Sequence, residues 1–204
     1  MNWTSSAAVA TAAMTAAWLA AAPALHAEAF RDEAITGAAD APVTIIEYAS
    51  MTCPHCASFH ANALPVLKDE YIATGKVRLV YRDFPLDGAA LKAAIVARCG
   101  GTERYFAFVD VIYGQQARWA RSPDPTAALK QLVQIGGLDG AEVDACLADK
   151  TLEEVVLRNR LVGQNEHDVQ STPTFIVNGE KHAGVDDPAE WRRILDPLLG
   201  AVDG

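Results

Sequence analysis

The chain has 204 residues, half of them hydrophobic, and a formal net charge of -9 at pH 7. This length and apolar content predict one domain, or one domain with an insertion, and exclude a wholly disordered chain. The acidic balance argues against nucleic acid or an anionic membrane as the main partner.

The start of the chain has the pattern of a secretory signal peptide. Residues 1–27 are Ala-rich, carry no charged side chain and lead into Ala27-Glu28-Ala29, which fits the A-x-A cleavage pattern. The basic n-region of such signals is missing, so an uncleaved anchor is the alternative. A mostly Ala segment is weakly hydrophobic for a stable span, which favours a cleaved signal and export to the periplasm. Cleavage after Ala27 and cleavage after Ala29 both remain open.

Two cysteines mark the point where a predicted strand ends and a predicted helix begins. The strand covers residues 43–49, the motif Cys53-Pro54-His55-Cys56 follows, and an amphipathic helix over 54–74 is kinked at Pro65. The N-terminus of a helix favours the thiolate form of a cysteine held there. Both sulfurs share one helix face and can form a disulfide. We therefore predict a redox-active dithiol.

Three neighbours of the two cysteines are candidate site residues. Pro54 suits the first helical turn, where its missing N–H is not needed. His55 is expected to stabilise the Cys53 thiolate by a hydrogen bond or by positive charge, which makes the disulfide a better oxidant. Glu47 lies within the strand among apolar residues, so we expect it to be buried and to exchange a proton with a nearby thiol. A solvent-facing glutamate on an edge strand is the alternative.

The rest of the chain predicts a sheet domain that is interrupted by helices. A strand at 77–84 completes a parallel β-α-β unit, and Asn178-Gly179 predicts a hairpin between two later strands. We assign residues 28–87 and 169–204 to the sheet domain and residues 88–168 to an all-helical insertion. The remaining predicted elements are helices at 88–99, 102–117, 125–135, 139–148, 151–168 and 187–200, and strands at 174–177 and 180–183.

This order resembles the α/β thioredoxin fold with a helical insertion (β-α-β, helices, β-β-α), and in particular the DsbA family of periplasmic thiol–disulfide oxidoreductases. The resemblance is carried by Cys53-Pro54-His55-Cys56, by Glu47 six residues earlier, and by Ser171-Thr172-Pro173-Thr174-Phe175. It implies that Pro173 is a cis-proline beside the active disulfide and that the Thr172 backbone pairs with an extended substrate. It also implies a DsbB-like membrane reoxidant. No cofactor or metal is expected.

The other two cysteines, Cys99 and Cys146, have a simple structural interpretation. Four cysteines allow three pairings, and the short spacing of Cys53 and Cys56 favours that pair. Cys99 and Cys146 then form a structural disulfide that ties two helices of the insertion together; a second redox relay is the alternative. His60, His167 and His182 have no recognisable partner pattern, and we treat them as surface or core residues.

The function predicted from these residues is that of a monomeric periplasmic enzyme that donates its Cys53–Cys56 disulfide to reduced or unfolded exported proteins. The donation proceeds through a mixed disulfide at Cys53. Because Thr172 precedes the proline, the sequence does not decide between an oxidase and a disulfide isomerase or reductase. A copper-binding carrier that uses Cys53, His55 and Cys56 is the hypothesis from a different class.

Overall fold

The computed structural model describes Met1 and residues 29–200. The predicted signal peptide at 1–27 therefore lies outside the described residues, apart from its first methionine. Within the described part of the chain, no helix is both long enough and apolar enough to cross a membrane.

A five-stranded mixed sheet forms the centre of the molecule, with the strand order β1-β3-β2-β4-β5. The central strand β2 pairs in parallel with β3 and antiparallel with β4. Because β2 is flanked on both sides, the strand that precedes the two cysteines is an interior strand. The strands are β1 (Ala34–Thr36), β2 (Val43–Ala49), β3 (Val77–Asp83), β4 (Thr174–Val177) and β5 (Glu180–Ala183).

Helix α1 (Pro54–Leu67) connects β2 to β3 and continues as a π-helical turn, Lys68–Ile72. The predicted β-α-β unit with parallel strands is confirmed. Pro65 lies inside α1, and α-helical hydrogen bonding changes to π-helical hydrogen bonding three residues later, at Lys68. The apolar side chains of α1 pack into a cluster of buried residues with Trp191 of the last helix, α8 (Pro188–Gly200). This packing fixes the orientation of the helix whose first turn carries the cysteines.

Six helices lie between β3 and β4, where the sequence predicts a helical insertion. Aspartates accept hydrogen bonds from the first-turn N–H groups of four of them, which fixes where these helices begin. The helices are α2 (Gly88–Cys99), α3 (Gly101–Gly114), α4 (Gln116–Trp119), α5 (Pro125–Gln134), α6 (Gly140–Ala148) and α7 (Lys150–His167).

Two details differ from the sequence-based prediction. The predicted helix at 102–117 is two helices, α3 and α4, because the backbone leaves the helical region at Gln115 (φ -113°, ψ 14°). Strand β1 was not predicted; it adds three residues antiparallel to β3. The predicted hairpin at Asn178-Gly179 is present, with positive φ at both residues, as a type I′ turn requires.

The helical segment and the sheet share buried side chains. One apolar cluster contains Cys53 and Cys56 together with Tyr81 of β3 and residues of α2, α3, α5 and α6. On α7, Gly163 packs directly against Tyr48 of β2: a Cβ atom on Gly163 would lie 2.8 Å from the Tyr48 ring. Residues of the helices therefore pack around the two cysteines. The division of the chain into two domains stays a prediction.

Candidate active site

Cys53 occupies the N-cap position of α1, and both cysteines are free thiols in this structure. The Cys53 backbone is extended (φ -77°, ψ 120°), and Pro54 takes the first helical position. The sulfur of an N-cap cysteine faces the unpaired N–H groups of the first turn. This arrangement follows from the local sequence, since a buried strand must end and a helix with proline in its first turn must begin within a few residues.

The pKa of Cys53 is lowered from its ordinary value of 9.0 to about 5. A hydrogen bond from the Cys56 thiol contributes most to this shift, and burial opposes it. The Thr172 hydroxyl and the backbone N–H groups of Cys56 and His55 lower the pKa further. Cys53 is therefore largely a thiolate at neutral pH, which is the form that attacks or leaves in disulfide exchange.

Cys56 has the opposite character. Its side chain is fully buried, and burial raises its pKa well above the ordinary value. The hydrogen bond to Cys53 and the negative charge of Glu47 raise the pKa further. When the disulfide opens, the thiolate belongs on Cys53 and the proton on Cys56. The two sulfurs are chemically distinct although they are only three residues apart.

Glu47 lies in the middle of β2 and is fully buried, as the sequence predicts. Its Oε1 atom lies 3.1 Å from Nε2 of His60, a residue one turn beyond Cys56 on α1. His60 has no recognisable partner in the sequence, although its spacing of four residues from Cys56 indicates that both share a helix face. The buried Glu47–His60 pair therefore belongs to the site.

The loop before β4 lies against the Cys53 sulfur. The Thr172–Pro173 peptide bond is cis, as the resemblance implies. The Cys53 sulfur lies 3.2 Å from the Thr172 carbonyl oxygen, to which it donates a hydrogen bond when it is protonated. Thr172 is itself buried, and β4, which follows Pro173, pairs with β2. The sheet thus brings the Thr172 carbonyl into contact with a sulfur that is 119 residues away in the chain.

A glutamine from the helical segment holds the active-site loop in place. The amide nitrogen of Gln116 on α4 donates to the carbonyl oxygens of Met51 and Cys53, each at 2.9 Å. Gln116 is buried, so these bonds satisfy carbonyls that have little access to water. On the other side of the loop, the Thr52 hydroxyl donates to Asp87 at 2.7 Å. Neither contact can be predicted from the sequence, because each joins positions that are distant in the chain.

The dipeptide between the cysteines is on the surface. Pro54 and His55 are both exposed. The contribution of His55 to the Cys53 pKa comes from its backbone N–H. The predicted role of the imidazole stays a prediction.

Cys99 and Cys146 form a disulfide that joins α2 to α6, with their Cα atoms 6.0 Å apart. This is the predicted pairing. Cys99 is buried in the cluster that also contains Cys53 and Cys56. Among the described residues, no group of three or more histidine, cysteine, aspartate or glutamate side chains is arranged to hold a metal ion. The copper-carrier hypothesis stays a prediction to be tested by metal retention.

Comparison with known proteins identifies the family. The family model described as thioredoxin matches residues 30–197. A candidate protein-disulfide oxidoreductase of Rickettsia bellii is 35% identical over 149 residues, which cover 72% of this chain and 58% of that protein. A candidate disulfide bond formation protein D of Bacillus anthracis is 30% identical over 159 residues, with 74% of this chain and 72% of that protein covered. The chain spans little more than half the length of the Rickettsia relative.

Solved structures agree with the sequence relatives. The crystal structure of Wolbachia pipientis alpha-DsbA1 superposes with a TM-score of 0.77 and 29% identity, covering 83% of this chain and 92% of that one. The chain therefore belongs to the thioredoxin family, and its relatives and structural neighbours include DsbA-type protein-disulfide oxidoreductases. The predicted thioredoxin-like α/β fold with its additional helices is confirmed.

Proposed function

We propose that this protein is a dithiol oxidase that donates its Cys53–Cys56 disulfide to reduced exported proteins. The observation that carries the proposal is the opposite shift of the two cysteine pKa values, to about 5 for Cys53 and far upward for Cys56. A stabilised Cys53 thiolate stabilises the reduced enzyme relative to the disulfide, and a disulfide whose reduced form is stabilised is a strong oxidant.

The reaction proceeds by two exchanges. A substrate thiolate attacks the Cys53 sulfur of the oxidised enzyme, the Cys53–Cys56 bond breaks, and the electron pair goes to the Cys56 sulfur. Cys56 takes up a proton, to which Glu47 contributes, because a buried thiolate beside a carboxylate is costly. A second substrate thiolate then attacks its partner sulfur in the mixed disulfide, and Cys53 leaves as a stable thiolate. The substrate is oxidised by two electrons and the enzyme is reduced.

The substrate approaches along the Thr172–Pro173 loop. Pro173 has no N–H group, while the Thr172 backbone lies beside the Cys53 sulfur. An extended segment of an unfolded protein is recognised there through main-chain hydrogen bonds, which carry no sequence requirement. This mode of binding suits an enzyme that acts on many reduced proteins. We propose that the enzyme works as a monomer in the periplasm and is reoxidised by a DsbB-like membrane protein.

The deciding experiment is the equilibrium of the Cys53–Cys56 pair with glutathione buffers of graded redox potential. The two states are separated by thiol labelling and mass spectrometry, and a Cys53→Ser variant identifies the signal of the pair. We expect the pair to stay reduced until the buffer is strongly oxidising. A pair that stays oxidised in reducing buffer would show a reductase-like protein and contradict the proposal.

A substrate assay separates an oxidase from an isomerase. A reduced protein that forms disulfides on folding and the same protein with scrambled disulfides are offered in parallel. We expect stoichiometric oxidation of the reduced form and slow repair of the scrambled form. Faster repair than oxidation would identify an isomerase instead.

A further inference from the structure

His60 is a buried titratable residue that the exchange between the two sulfurs does not itself require. Its side chain is 5% exposed, although it lies only one turn beyond Cys56 on α1. Nε2 is 3.1 Å from Glu47 Oε1, and Nδ1 is 3.9 Å from Asp110 Oδ1 on α3. The imidazole thus lies between a fully buried carboxylate and a second carboxylate whose side chain is 49% exposed.

The groups around His60 define a path from solvent to the buried cysteine. Glu47 faces it from β2, Tyr81 from β3, and Asp110 and Tyr113 from α3, with the Tyr113 ring 4.2 Å from the imidazole. Cys56 lies on the same helix, and Lys68 pairs with Asp110 at 3.1 Å on the outer side. Asp110 is therefore the point where this line of groups reaches the surface.

We propose that His60 relays protons between Asp110 at the surface and Glu47 beside Cys56. This inference rests on the proposed dithiol chemistry, for which it supplies the route of the Cys56 proton. His60 acts through Glu47 and is a positioning and relay residue, since it does not touch the reacting sulfurs.

The proton balance of the relay is simple. When the disulfide opens, the Cys56 sulfur receives the electron pair and then a proton that the Glu47 carboxylate passes on from His60. The His60 imidazolium gives up that proton at Nε2, which leaves a neutral ring with its remaining proton on Nδ1. The ring then changes tautomer, so that its proton lies on Nε2, and Nδ1 takes a proton from solvent by way of Asp110. Solvent also receives the proton that the substrate thiol lost. When the enzyme is reoxidised, each transfer runs in the opposite direction.

Two further observations fit this path. Burial lowers the pKa of His60, but the charges of Glu47 and Asp110 and the hydrogen bond to Glu47 Oε1 outweigh it, so the pKa lies above its ordinary value. The raised pKa favours the imidazolium form of His60, which holds the proton that Glu47 passes on. Glu47 Oε2 and His60 Nδ1 are buried and have no hydrogen-bond partner within the described part of the chain. Each is the atom that the relay uses for its next transfer.

The test is the rate at which dithiothreitol reduces the oxidised enzyme, measured by acid quench and thiol labelling across pH 5 to 9. Dithiothreitol is a small thiol reagent that reacts with any accessible disulfide of this kind. The reduction rates therefore report on the relay whether the Cys53–Cys56 pair proves to be a strong or a weak oxidant in glutathione buffer. Failure of the proposed oxidase function and failure of the relay are therefore distinguishable. The variants are H60Q, E47Q, E47Q/H60Q and D110N, and H182Q is the matched control on β5.

We expect H60Q to slow reduction roughly 10- to 100-fold, because glutamine keeps a hydrogen bond to Glu47 but carries no transferable proton. E47Q/H60Q should be no slower than E47Q, because His60 acts through Glu47 and the two losses are not additive. H182Q should keep the wild-type rate. Losses from H60Q and E47Q that simply multiply would show a separate structural role for His60 and overturn the relay.

The pH profile gives a readout that a loss of packing would not move. After correction for the thiolate fraction of dithiothreitol, the wild-type rate should fall as the pH rises through the raised pKa of His60. D110N removes a charge that raises this pKa, so the fall should begin at lower pH. Because Asp110 is half-exposed, the D110N variant should fold. It therefore tests the relay even if H60Q does not fold. A D110N profile identical to that of the wild type would overturn the proposal.

Discussion

At the scale of single residues, the Thr172 hydroxyl helps to lower the pKa of Cys53 from outside helix α1. Its oxygen is buried and has no other hydrogen-bond partner among the described residues, so its proton is available to the thiolate. The lowered pKa links the stability of the reduced enzyme to pH. An acid group whose pKa is depressed by folding stabilises the folded state fully above its unfolded pKa, and loses this contribution as the pH falls through the folded pKa. For Cys53 the window runs from about 9.0 down to about 5.

Replacing Thr172 by valine should raise the pKa of Cys53, because the hydroxyl that stabilises the thiolate is lost while the side-chain shape is kept. Titration of the reduced protein by ultraviolet thiolate absorbance should place the wild-type midpoint at about 5 and the variant midpoint higher. Thr174→Val is the control, since the Thr174 hydroxyl donates to the Ser171 carbonyl instead. Equal midpoints in T172V and the wild type would contradict a role for the hydroxyl.

The residues that sequence analysis found are those with a local signal. Cys53 and Cys56 follow from their spacing at a strand–helix junction, and the burial of Glu47 follows from its apolar neighbours. His60 has a local signal only in its distance from Cys56. Its importance depends on Glu47 and Asp110, which lie on two other elements, and no local pattern encodes that meeting.

At the scale of elements, helix α4 has four residues, yet its Gln116 supports the loop that carries Cys53. Gln116→Leu should lower the free energy of unfolding by about 1–3 kcal/mol, because the carbonyls of Met51 and Cys53 lose their donor in a buried place. Urea unfolding of the reduced protein measures this change. Gln131→Leu on the exposed face of α5 is the control and should have little effect. A Gln116→Leu variant as stable as this control would show that water replaces the amide.

Helix α2 is anchored to the sheet by a buried ion pair. Arg98 donates two hydrogen bonds to Asp83 of β3, at 2.9 and 2.7 Å, and both side chains are almost wholly buried. Arg98→Met should destabilise the protein by about 3–5 kcal/mol, because an unpaired carboxylate remains in the core. The exposed Arg193→Met is the control for loss of a charge. Thermal and urea unfolding should agree, and a loss similar to that of the control would contradict the assignment.

Element boundaries were predicted well where a capping aspartate or a hairpin turn marks them, and less well elsewhere. The helix at 102–117 was expected to be continuous because its apolar spacing continues through Gln115. Strand β1 has only three residues, too few for a pattern of alternation. Its pairing with β3 is a long-range contact that the sequence of the strand alone does not predict.

At the scale of the whole molecule, the Cys99–Cys146 disulfide closes a loop between residues 47 positions apart. In the chain-entropy model such a loop contributes about 4 kcal/mol by restricting the unfolded chain. The variant C99A/C146A should therefore unfold at a lower urea concentration than the oxidised wild type, with a loss of free energy up to this size. A double serine variant checks that the loss is not due to the apolar replacement. Equal midpoints for the wild type and both variants would contradict a structural role.

A shared cluster of buried side chains joins the helical segment to the sheet, and this contact is not visible in the sequence. A change from strand to helix pattern at residue 88 is visible in the sequence. Whether the two parts fold as separate units depends on side chains such as Tyr81, Phe108 and Trp119 that meet across the boundary.

The two edge strands of the sheet affect how such a protein stays in solution while it binds unfolded chains. β1 forms one border with only three residues, and β5 forms the other with the mostly exposed sequence Glu180-Lys181-His182-Ala183. A long, flat, apolar border would recruit extended polypeptides and seed aggregates, whereas a short strand and a charged strand discourage that recruitment. Substrate proteins would then bind at the reactive sulfur and leave after the exchange, and the protein would stay soluble for the next reaction.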